Sequence, residues 1–105
     1  MIVSVDLTTT PPAVGLDEPD DCRRFHVAAV GGADRGRLGQ ALADGETGWL
    51  DGDDVWVQVA ALRRLAAGRV GPTWESDFAA MVAFARDKGW LDASGTAIRA
   101  HVEWS

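Results

Sequence analysis

A chain of 105 residues carries sixteen Asp and Glu against ten Lys and Arg, for a formal net charge of −6, and is 47% hydrophobic. That length suits one domain whose core needs neither metal nor disulfide, and the acidic balance makes nucleic acid a poor partner. Cys22 is the one cysteine, which excludes an intrachain disulfide, and no stretch approaches the roughly 20 apolar residues that cross a bilayer.

Met1, Val3, Val5 and Leu7 alternate with Ile2, Ser4 and Asp6, which reads as a short strand with one apolar face. The same opening lacks the basic and long apolar regions of a secretory leader, so a cytoplasmic location is expected. From Thr8 to Cys22 the chain is rich in turn formers, among them Pro11, Pro12, Gly15 and Pro19, and has no periodic apolar face. This segment, 8–22, reads as one surface loop, and its middle part should be dispensable for stability. Phe25, Val27 and Ala29 alternate with Arg24 and His26 to give a second strand, ended by Gly31 and Gly32. Over Asp34 to Ala43, Leu38, Ala41 and Leu42 fall at helical spacing, although Gly36 and Gly39 weaken that helix by about 1 kcal/mol each.

Trp49 and Leu50 suit a brief strand, and Asp51 or Asp53 stands where a helix cap belongs. The helix they would start carries Val55, Val59, Leu62 and Ala66 on one stripe, with Arg63, Arg64 and Arg69 toward its end and Gly68 as its stop. Thr73 is the expected cap of a further helix whose buried stripe is Trp74, Phe78, Met81, Val82 and Ala85, ended by Gly89. Last comes the clearest strand, with Ile98, Ala100, Val102 and Trp104 on the core face and Arg99, His101 and Glu103 on the other. The turn Asp92 to Gly95 should pair it with Trp90 and Leu91.

The expected fold is therefore α+β: a small, mainly antiparallel sheet with about three helices on one face. After the two N-terminal strands, the order of elements resembles that of a winged-helix domain, a likeness of architecture alone. Such a domain reads DNA with the start of its second long helix. Here that end presents Glu75 and Asp77, and the would-be wing has an acid and no base, so DNA binding is disfavoured on charge.

Motifs that would carry chemistry fail on their particulars. In VGGADRGRLG the glycines at 31 and 36 have a phosphate loop's spacing, but Arg37 and Leu38 replace the Lys and the hydroxyl residue that such a loop needs. Asp51, Asp53 and Asp54 open like a calcium loop, yet Trp56 and Leu62 stand where Gly and Glu are required. Cys22 and His26 do not complete a zinc site, and no local base activates the thiol. Neither a catalytic set nor a cofactor or metal site is assigned. What remains is a polar face: if the two strands share a sheet, Arg24, His26, Arg99, His101 and Glu103 point away from the core together. Trp56, at the edge of its expected stripe, is the aromatic best placed for a surface contact. The reading is a non-enzymatic accessory domain binding another protein, a second copy included. A DNA-binding regulator and a small-ligand module are the alternatives.

Overall fold

Alternation at the start of the chain folds as strand β1 (Ile2–Asp6), with Val3 and Val5 in the core and Met1 and Leu7 buried at its two ends. The computed structural model describes residues 1–105, and in it β1 lies between two partners. On one side it pairs antiparallel with β2 (Ala13–Asp17), on the other parallel with β3 (His26–Val30). The strand β2 corrects the reading of 8–22 as a loop. Leu16 is buried there and Val14 is half-buried, both on the face that Val3 and Val5 share.

Helix α1 (Arg35–Asp44) starts where Asp34 accepts a hydrogen bond from the Arg37 backbone N–H at 3.0 Å, and it buries Leu38, Ala41 and Leu42. It leads to a hairpin, β4 (Gly48–Asp51) and β5 (Asp54–Gln58), where a single long helix after Asp51 or Asp53 is expected. Asp51 ends β4, Asp53 lies within the turn, and neither caps a helix. Val55 and Val57 are buried by strand alternation, and only Val59–Ala66 forms helix α2. Helix α3 (Trp74–Asp87) buries Trp74, Phe78 and Ala85 and half-buries Met81 and Val82, while Thr73 at its start makes no side-chain capping bond. Trp74 stacks on Phe78 at 4.6 Å, and its indole N–H donates to the Pro19 carbonyl at 2.7 Å, tying α3 to the segment after β2.

The last strand, β6 (Ala97–Trp104), lies in the interior of the sheet, whose order is β2-β1-β3-β6-β5-β4. It runs parallel to β3 and antiparallel to β5, so the sheet is mixed: three of its five pairings are antiparallel and two are parallel. The likeness to a winged helix is incomplete at the same point. The turn at 92–95 closes only an isolated bridge between Leu91 and Ile98, and the strand after it joins a six-stranded sheet.

Buried residues of the strands and of all three helices form one cluster, which places the helices on a single face. Both α1 and α2 touch β2 as well as a strand of the β4–β5 hairpin. Because β2 and β4 are opposite edges, the sheet curls around the helices. Trp104 has core parity but is 38% exposed, at the end of β6 that lies beyond this cover.

Candidate functional site

Parity and register build the site on the outer, convex face of the sheet. His101 and Glu103 are two residues apart on β6, so their side chains leave the same face. The parallel register sets Val27 beside Val102 and Ala28 beside Glu103, which brings His26 alongside His101. Their rings stack at 5.4 Å between centroids, inclined by 23°. The Glu103 carboxylate bridges them: His26 Nε2 is 3.2 Å from Oε2, and His101 Nε2 is 3.5 Å from Oε1. Only 19% of the His26 side chain is exposed, against 61% for His101 and 62% for Glu103.

Beside this cluster, β5 adds a second network. Trp56 donates its indole N–H to Asp51 Oδ2 at 2.8 Å. Arg99 reaches the same oxygen at 3.3 Å and Asp54 Oδ2 at 3.4 Å, with its guanidinium 5.3 Å from the Trp56 ring centre. The Trp56 hydrogen bond, with help from Arg99, holds the Asp51 carboxyl below the usual carboxylate range despite some desolvation. Trp49, 44% exposed, lies directly across the hairpin from Trp56.

Of the residues expected on this face, His26, Arg99, His101, Glu103 and Trp56 are brought together, Trp56 from a strand and not from a helix. Arg24 is not among them. It precedes β3, is exposed, and its carbonyl accepts a bond from the Met1 ammonium at 2.9 Å. Asp51, expected as a helix cap, and Asp54 also belong to the face. The signal for them was available in the alternation of Val55 and Val57, which turns Asp54 and Trp56 outward once that segment is taken as a strand.

Next to His101 the sheet has a notch. β3 pairs with β6 only from Val102 to Trp104, and further back this edge of β6 meets the 90–92 segment, through the Leu91 bridge, a bond from the Arg99 N–H to the Trp90 carbonyl and one from the Asp92 N–H to the Ala97 carbonyl. A cleft of about 1040 Å³ opens there, with Phe25, Met81, Phe84, Trp90, Ala100 and His101 among its walls. Phe84 and Trp90 meet edge to face at 5.8 Å and remain 55% and 42% exposed. Asp20, Asp21, Asp54 and Asp77 line the cleft against Arg23 and Arg99, so its charge is mainly negative. Cys22 also lines it, but burial, reinforced by Asp77, pushes its thiol pKa up, the wrong direction for a nucleophile. No family model, curated protein or solved structure matches this chain.

Proposed function

We propose that this is a non-catalytic binding domain that docks a segment of another protein in the cleft between α3 and β6. The observation that carries the reading is the exposed Phe84–Trp90 pair at the mouth of an acidic, half-apolar cleft. Aromatic side chains in that position supply large contact area at little entropic cost and are enriched where binding energy concentrates. Acids in the cleft select a partner segment that mixes basic with apolar residues. The same acids, Asp77 among them, with Glu75 at the start of α3, disfavour DNA, because phosphates would meet carboxylates. A raised thiol pKa at Cys22 supports a binding role over nucleophilic catalysis.

A random peptide library panned on the wild type, with counter-selection on the Phe84→Ser/Trp90→Ser double variant, tests this reading. Enrichment of peptides that combine Arg or Lys with aromatic or aliphatic residues is expected. Equal retention by the double variant would refute it. A second copy of the chain is the other form of the same reading, and sedimentation equilibrium over a wide concentration range separates the two. Association of the wild type that the double variant loses would make the partner a second copy.

A further inference from the structure

We propose that His26, His101 and Glu103 form a binding site for a borderline divalent metal ion, with Zn²⁺ as the representative. His101 also borders the docking cleft, but His26 and Glu103 lie outside its lining, and the metal site does not depend on the docking reading. Two imidazoles and a carboxylate are the ligand types that Zn²⁺ takes in three-ligand sites with an open fourth position. One donor atom from each residue lies within 4.8 Å of the other two. Metal–ligand bonds near 2.0–2.2 Å place the corners of a tetrahedron about 3.3 to 3.6 Å apart. Both Nε2-to-carboxylate separations, 3.2 and 3.5 Å, are already close to that edge. The two contacts use different oxygens of Glu103, and every donor separation lies within 4.8 Å, so gathering the three ligands on one ion calls for side-chain rotation.

The backbone below the site is fixed by the core. Val27 and Ala29 of β3 and Ala100 of β6 are buried, and Val102 packs against the same core, on the face opposite the three ligands. A slip of one residue between β3 and β6 would turn those apolar side chains out to water, so the register that joins His26 to His101 and Glu103 is held by burial. Pre-positioning of this kind lowers the entropic cost of gathering ligands.

The surrounding charge suits a cation. Asp54 on β5 stands opposite His101, and the charge of Arg99 is matched by Asp51 and Asp54. On β1 the neighbour of His26 is the uncharged Ile2. Hard ions such as Ca²⁺ and Mg²⁺ prefer six or more oxygen ligands, and two imidazoles select against them.

The test is calorimetric titration of the intact chain with Zn²⁺ in a non-chelating buffer near neutrality, with Co²⁺ absorption as a spectroscopic second reading. One ion per chain is expected, with visible Co²⁺ bands and no thiolate charge-transfer band. His101→Gln and Glu103→Gln, both at exposed side chains, should each weaken binding at least about tenfold. Cys22→Ser should bind like the wild type. His26→Gln is interpreted only alongside a circular dichroism spectrum that matches the wild type, because His26 is partly buried. Absence of saturable Zn²⁺ binding below millimolar concentration would overturn the proposal. So would binding retained by His101→Gln and Glu103→Gln, or lost in Cys22→Ser.

Discussion

Replacing Leu16 by Ala tests whether the segment between the first two parallel strands belongs to the core. Leu16 is 2% exposed and lies opposite Val3 on β1, within a cluster that includes residues of all three helices. A buried Leu→Ala change costs about 2 to 5 kcal/mol, depending on how far the surroundings collapse. β2 is an edge strand, so some relaxation is available, but α1 and α2 both rest on it. A cost of about 3 kcal/mol is therefore expected. At roughly 4 to 8 °C per kcal/mol for a domain of this size, the melting temperature should fall by about 15 °C. Asp17→Ala on the same strand is the control: Asp17 is exposed, and such substitutions usually stay within about 0.5 kcal/mol. Thermal unfolding followed by circular dichroism gives both numbers. If Leu16→Ala melts within the range of the control, β2 contributes nothing to the core and the segment is the loop that its composition suggested.

Two other outcomes follow from the outer face and the hairpin. Gly48→Ala should destabilise severely or prevent folding, because a Cβ at that position would sit 2.0 Å from the Trp56 carbonyl oxygen, a backbone atom that cannot swing away; a soluble variant with near-native urea midpoint would contradict this packing. Asp51 should report on acid. Its folded-state pKa is lowered, so its contribution is present above the unfolded value of about 3.9 and disappears as pH falls through the lower, folded value. Asp51→Asn should thus be the less stable protein in urea near neutrality, by a small margin fitting an exposed group, and the gap should close as the pH falls through the folded-state value. A gap independent of pH would show that the carboxylate charge plays no part.

Elements with strong local periodicity were legible in the sequence. The first strand, the helix carrying Trp74 and Phe78, and the final strand all take the faces their spacing implies. β2 was hidden because only Val14 and Leu16 alternate there, between prolines and beside Gly15, and its stability comes from β1 and the helices and not from its own composition. The stretch Val55 to Leu62 satisfies two periods at once. Val55, Val59 and Leu62 fit a helix, while Val55, Val57 and Val59 fit a strand, and β-branched residues flanking Trp56 tip the balance to β5. Trp104 shows the limit of parity, which says which face a side chain leaves from but not whether anything covers that face. The outward direction of both histidines follows from parity alone. Their meeting at Glu103 does not, because it needs the parallel register of β3 and β6, a pairing between distant parts of the chain that no local pattern encodes.

That pairing also bears on the order of events during synthesis. β6 lies inside the sheet and yet is the last of the nine elements to be translated. Until it emerges, β3 and β5 each present an open edge, and the two halves of the sheet have no strand in common. Unpaired edges are templates for the wrong partner, and contacts between distant positions form slowly. The nascent chain can gather local pieces such as the β4–β5 hairpin beforehand, but cooperative folding waits for Ala97–Trp104 to leave the ribosome, and a chain halted before that point is left prone to aggregation.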